Sequence, residues 1–251
     1  MNNTTFFGSL YKTMIFSIET STSNLSLTLL TNNEIINKIS IQINNELSEI
    51  IIPTIKKFLR NNSISLKNIS YLVIGCGPGS FTGIRAVISA AKGIHLSNKH
   101  MKIYGINSLA GLAMSALNEA KKKNIDHIIA SIDTKRDDQF LQLFKLNNPN
   151  KKSLPFFAIN NIQAIELEDL DKYIKKNKLV VEDFLFVGFI PTFLKKKLLN
   201  INFSDGLTQI PNAVWVGKLT SYIINNSVNY KQSNIAFNEF KPIYVRSASI
   251  N

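Results

Sequence analysis

The sequence predicts an α/β protein built from two related lobes, on three observations. Residues 14–30, MIFSIETSTSNLSLTLL, hold a β-branched run, a polar turn and an alternation at Leu25, Leu27 and Leu29, the pattern of a strand that turns and returns. Residues 71–83, YLVIGCGPGSFTG, form an apolar run that ends in a glycine-rich turn and leads into a helical pattern. Sliding the chain by 114 positions lays Ser131-Ile132-Asp133-Thr134 over Ser17-Ile18-Glu19-Thr20, with Leu141 and Leu143 over Leu27 and Leu29. Such self-similarity marks a duplicated unit.

The elements follow in order. EIINKISIQI (34–43) continues the opening hairpin as a third strand. Residues 46–60 put Leu47, Ile51, Ile55 and Phe58 on one helical face, and Ile50, Ile52 and Leu59 make that stripe wider than one core contact needs. Pro53 should kink this helix or restart it. A buried strand at 71–76 precedes the glycine turn, and a helix spans 82–97. In it Ala86, Ala90 and Gly93 recur at i, i+4 and i+7, a row of small residues that lets another helix approach. KIYGI (102–106) is a short strand and 108–122 a helix. The pattern then restarts at 127–144, with a strand at 184–188, a helix near 191–199 and a last helix near 212–225.

The glycine turn departs from the specific phosphate-binding templates. A Walker loop requires lysine and a hydroxyl residue after its last glycine, where Ile84-Arg85 stand. The dinucleotide fingerprint requires glycine where Thr82 stands. General anion binding by amides at a helix start stays open. The structural reading explains more: Gly77-Pro78-Gly79 turns the chain sharply, and Ser80 or Thr82 caps the next helix. The small-residue row and the broad stripe on 46–60 suit a subunit interface, and pattern alone suits packing within one monomer equally.

Catalytic groups are scarce. His95, His100 and His127 lack the i, i+4 spacing of a helical metal clamp, so no metal site is expected. Cys76 has no positioned base and reads as a buried filler. Glu19 and Asp133, each closing the first strand of a repeat, are candidates to hold a metal nucleotide, with a turn-forming or capping role as the alternative. Charge is +12, from 29 basic and 17 acidic residues, a field that attracts RNA or acidic partners. Only four of the basics are arginine, so the lysines read as solvated faces rather than a dedicated nucleic-acid surface. One cysteine and no apolar run of about 18 residues predict a cytoplasmic protein without a membrane span.

Five segments, SIETSTSNLSLTLL, GPGSFTGIR, INSLAGLA, SIDTKRDDQF and PIYVR, resemble in order the TsaB (YeaZ) family, over Met14 to Arg246. The resemblance implies an actin-like fold, with a first lobe at 14–108, a second at 109–251 and the last helix packed back on the first lobe. Residues 1–13 precede the family's usual start and are expected to be disordered. Gly77, Pro78, Gly79, Ser80, Phe81, Thr82, Gly83 and Arg85 match the family's central motif. Members resembling this chain pair with a paralogue, TsaD, which transfers a threonylcarbamoyl group to N6 of the adenosine 3′ to the anticodon of tRNA. TsaE, an ATPase, joins such complexes. The implied role is a non-catalytic scaffold that reaches tRNA through the complex, with no cofactor of its own and ATP and Mg only at the level of the complex. The implied interface lies on Leu47, Ile50, Ile51, Pro53, Thr54, Phe58, Ala86, Ala90 and Gly93, and the same helices would serve a homodimer. The competing reading is a stand-alone actin-like ATPase or small-molecule kinase, with Glu19, Thr20 and Asp133 at the nucleotide.

Overall fold

The computed structural model describes residues 13–43, 47–147, 152–190, 201–204, 209–230 and 233–245. The first sheet opens with the meander β1 (Met14–Glu19), β2 (Asn24–Thr31) and β3 (Glu34–Gln42), antiparallel throughout. The crossover helix α1 (Leu47–Asn61) then brings β4 (Tyr71–Gly75) parallel to β1. Helix α2 (Phe81–Ser97) likewise brings β5 (Lys102–Ile106) parallel to β4.

After α3 (Ser108–Lys122) the same plan recurs. Strands β6 (His127–Asp133) and β7 (Asp138–Leu146) pair antiparallel, and β7 takes both β8 (Phe156–Ala158) and β9 (Gln163–Glu166). Past the short helix α4 (Leu170–Lys176), β10 (Phe184–Gly188) lies parallel to β6 and β11 (Asn202–Phe203) parallel to β10. Helix α5 (Ala213–Asn225) follows, and β12 (Ala236–Phe237) joins β5 at the edge of the first sheet. The sheet orders β12-β5-β4-β1-β2-β3 and β11-β10-β6-β7-β8 show one topology used twice. This is the two-lobed, actin-like α/β fold expected from the sequence. The helix expected near 191–199 lies outside the described residues, as do residues 1–12 and Arg246.

Three cores hold this arrangement. Helices α1 and α2 cover the outer face of the first sheet, burying Phe16, Ile18, Leu27 and Leu29 beneath Ile51, Phe58 and Ile84. Helix α4 covers the outer face of the second sheet through Leu170 and Tyr173. Between the sheets α3 and α5 form a shared layer, so that Ile15 and Val73 of one lobe and Ile128 and Phe144 of the other belong to one core. Pro53 lies inside α1, which runs unbroken from Leu47 to Asn61.

The sequence overlay needs one correction of register. Ile18 packs in the outer core of the first lobe, whereas Ile132 packs in the shared core. Leu27, Leu29, Leu141 and Leu143 all face outward in their lobes. The return strands therefore match as the overlay placed them, while β6 matches β1 one residue earlier: Glu19 pairs with Ser26 but Asp133 with Gln139. Because side chains alternate along a strand, that single step moves Glu19 and Asp133 into unlike surroundings.

Candidate functional site: the glycine turn, the groove and the cleft

The turn after β4 is sewn to the turn after β1. The Ser80 amide donates to the Ser21 carbonyl at 2.7 Å, and the Thr20 hydroxyl donates to the Gly83 carbonyl at 2.9 Å. A Cβ on Gly79 would stand 2.0 Å from the Ser21 carbonyl oxygen, and one on Gly83 would stand 2.3 Å from that of Thr20. These glycines are required because two backbones touch there. Gly77, with φ +94, gives its amide to the Ser108 hydroxyl at 3.2 Å. The Gly83 amide goes to the Ser80 hydroxyl, also 3.2 Å, which caps α2, and the Ile84 amide goes to the Ser80 carbonyl. Thr82, the other capping candidate, is exposed. The amides of Gly77, Ser80, Gly83 and Ile84 are thus already bonded within the protein.

Glu19 faces inward. It is 1% exposed, accepts the Ser21 amide on Oε1 at 2.7 Å and the Ser108 hydroxyl on Oε2 at 2.9 Å, and fills the space where a Cβ on Gly75 would stand. Burial raises its pKa, with the Ser21 and Ser108 donors acting the other way. Thr20, also buried, holds the α2 start. Asp133 lies instead in the wall of a cleft of about 1000 Å³ between the lobes, where Ser21, Pro78, Lys135, Phe140 and Tyr244 also contribute. Its carboxylate accepts the Lys135 amide and pairs with the Lys135 ammonium, both at 2.8 Å. The structure therefore does not bring Glu19, Thr20 and Asp133 to one ligand position. Among the described residues no three His, Cys, Asp or Glu side chains converge on a common point. Burial pushes the Cys76 thiol up to about 12.

The interface candidates divide in two. Leu47, Ile51 and Phe58 are buried in the outer core, so most of the α1 stripe is spent on its own sheet. Ile50 and Thr54 are half-buried and Pro53 exposed. Ala86, Ala90 and Gly93 floor an open apolar groove of about 770 Å³ between α1 and α2, with Ile51 and Ile52 along one wall. Nothing lies within 4 Å of a Cβ placed on Gly93. Gly93 thus leaves its part of the groove open, while Ala90 is buried in the same outer core as Ile51. At its mouth Phe81 is 44% exposed, with the Arg85 guanidinium 4.0 Å above its ring and the Tyr244 ring 5.5 Å away. Arg85 Nε donates to the Tyr244 hydroxyl at 3.1 Å. This cluster joins the C-terminal segment to the glycine turn.

Asn107 escaped sequence reasoning. Its side-chain oxygen caps α3 by accepting the Leu109 and Ala110 amides, and its side-chain nitrogen donates to Gln142 of the second lobe at 2.7 Å. An asparagine directly before an apolar helix was the available signal.

The comparisons agree with this geometry. Residues 35–236 match the family model described as TsaD: tRNA N6-adenosine threonylcarbamoyltransferase. The tRNA threonylcarbamoyladenosine biosynthesis protein TsaB of Buchnera aphidicola subsp. Schizaphis graminum is 33% identical over 174 residues, covering 68% of this chain and 78% of that protein. TsaB of Buchnera aphidicola subsp. Baizongia pistaciae is 26% identical over 231 residues, covering 92% and 97%. YeaZ from Pseudomonas aeruginosa superposes with a TM-score of 0.65 at 17% identity, over 92% of this chain and 99% of that one, a likeness of fold. A duplicated topology, a glycine turn sewn to its neighbour and similarity along most of the chain converge: it belongs to the TsaB (YeaZ) family of tRNA threonylcarbamoyladenosine biosynthesis proteins.

Proposed function

We propose that this chain acts in threonylcarbamoyladenosine formation as a non-catalytic subunit. It pairs through the α1–α2 groove with a TsaD-type paralogue, which carries the transfer chemistry to N6 of the adenosine 3′ to the anticodon. A TsaE-type ATPase joins the assembly, any ATP and Mg act at that level, and tRNA is engaged by the complex. The observation that carries the reading is the exposed apolar groove floored by Ala86, Ala90 and Gly93, with Phe81 and Arg85 at its mouth. Aromatic and arginine anchors beside a small-residue floor are what a helix of a partner subunit can bury well. The inward-facing Glu19 and the self-bonded glycine turn favour it over the ATPase reading.

The test is reconstitution of threonylcarbamoyl transfer from purified paralogue, ATPase and tRNA, with and without this chain. Transfer should require it, and Gly93→Trp, which projects into the groove from a position where a Cβ meets nothing within 4 Å, should abolish co-purification with the paralogue. An unchanged rate without the chain would refute the role. Mg–ATP turnover by the isolated protein that vanishes in Asp133→Ala would replace it with the ATPase reading.

A further inference from the structure

Between Glu49 and Glu119 the chain carries no acidic residue and eight lysines or arginines. The fold gathers three of them around one hollow. Lys67 sits on the 3-10 turn Leu66–Asn68, Lys99 follows the end of α2, and Lys102 opens β5. With Tyr71 and His100 they line a concavity of about 740 Å³. All three lysines are exposed, and among the described residues none of them forms an ion pair.

The hollow is a framed surface. The Asn98 side chain donates to the Leu66 carbonyl at 2.8 Å, tying the turn that carries Lys67 to the loop that carries Lys99. The Lys102 amide donates to the Ser70 carbonyl at 2.9 Å, and the Lys102 ammonium lies 5.8 Å from the centre of the Tyr71 ring. Their backbones are thereby fixed before any ligand arrives, which lowers the entropy lost on binding. The end of α2 contributes only about half a unit of negative charge. One lysine is enough to answer that, so a surplus of positive charge remains.

Its position separates it from the cleft and links it to the groove. Tyr71 and Lys102 pair at the beginnings of the parallel strands β4 and β5, while the glycine turn and the cleft lie at the opposite end. Ser97 lines both this hollow and the α1–α2 groove, so the two surfaces adjoin.

We propose that this hollow is a contact site for an RNA phosphate backbone, held by Lys67, Lys99 and Lys102, and that the RNA is the tRNA being modified. The inference rests on the function proposed above for its choice of RNA. Lysine ammonium groups meet phosphate as point charges, which positions a strand without reading its sequence. A concave surface with a half-buried tyrosine on its lining admits a strand of backbone, whereas a flat lipid surface would reach only the rim. Seated beside the groove, the patch would let this chain carry part of the tRNA affinity while the paralogue holds the reacting adenosine.

The test compares tRNA binding over a range of salt by the full chain, alone and paired with the paralogue. Three proteins are needed: wild type, the triple variant Lys67→Ala/Lys99→Ala/Lys102→Ala, and the control Lys145→Ala/Lys175→Ala/Lys176→Ala, which removes equal charge from exposed positions of the second lobe. The patch variant should lose about tenfold or more in affinity at about 0.1 M salt, and its salt slope should fall by about two to three, with unchanged melting and unchanged pairing. The control should keep both. Equal losses in the two variants, or no loss in the patch variant alone and paired, would overturn the inference. Loss of binding to phosphatidylglycerol vesicles with tRNA binding unmoved would reassign the patch to a membrane and also overturn it. Failure of the proposed function shows separately, as transfer that does not need this chain.

Discussion

The Ser108 hydroxyl donates to Glu19 Oε2 at 2.9 Å, joining the last residue of β1 to the first residue of α3 through one buried bond. Burial raises the Glu19 pKa above its ordinary 4.5, so the folded state holds that proton more tightly than the unfolded chain. The stability it confers is full below the unfolded value and is lost as pH climbs through the raised folded value. Glu19→Gln keeps an acceptor for the Ser21 amide and removes the titration. Urea unfolding between about pH 4 and about pH 8 should therefore give a flatter profile in the variant. Parallel profiles would show that the carboxyl titrates normally in the fold.

Two glycines should respond in opposite directions to the same methyl group. Gly83→Ala places it 2.3 Å from the Thr20 carbonyl oxygen and should cost about 2 kcal/mol or more. Gly93→Ala meets nothing and should add about 0.5 to 1 kcal/mol through helix propensity. Chemical denaturation of both variants settles the sign. A stabilised Gly83→Ala would mean that the two turns do not touch.

Asn107→Ala removes a helix cap and leaves the side chain of Gln142 without its donor. The expected loss is about 2 to 4 kcal/mol, the cap and the buried amide together. Asn107→Asp should recover the cap share alone. Melting temperatures in the order wild type, Asp, Ala check this, and equal values for wild type and Asp would remove the link to Gln142.

Phe81→Ala should leave melting nearly unchanged, because the ring is 44% exposed, yet weaken association with the paralogue by about tenfold or more. Calorimetric titration measures the second quantity. Full affinity in the variant would take Phe81 out of the interface.

Cys76 should resist alkylation in the native protein. Its thiol is buried and its pKa is pushed up to about 12, so the reactive thiolate is scarce. Labelling should follow global unfolding in urea, and rapid labelling without denaturant would contradict the burial.

Period and punctuation made the main scaffold legible. A β-branched run announces β1 and alternation announces β2, and the helices expected at 82–97 and 108–122 lie within one residue of α2 and α3. Strands of two to four residues, such as β11 and β12, carry too few positions for alternation to register. The breadth of the α1 stripe was visible, but not that Leu47, Ile51 and Phe58 serve its own sheet. Amphipathicity reports how much surface a helix hides, not which neighbour hides it. The overlay of Glu19 on Asp133 failed for a comparable reason: identity matching cannot sense a one-residue step in pleat, which only strand pairing reveals.

The layer formed by α3 and α5 has a mechanical consequence. A clamshell enzyme needs halves that part cleanly at a waist, and here Ile15 and Ile128 belong to one apolar core, with the packed pair α3 and α5 between their sheets. Swinging the halves apart would wet that entire apolar filling at once. The molecule should accordingly behave as a stiff brace, melting in one calorimetric step and presenting partners with a fixed outline instead of a jaw that closes on demand.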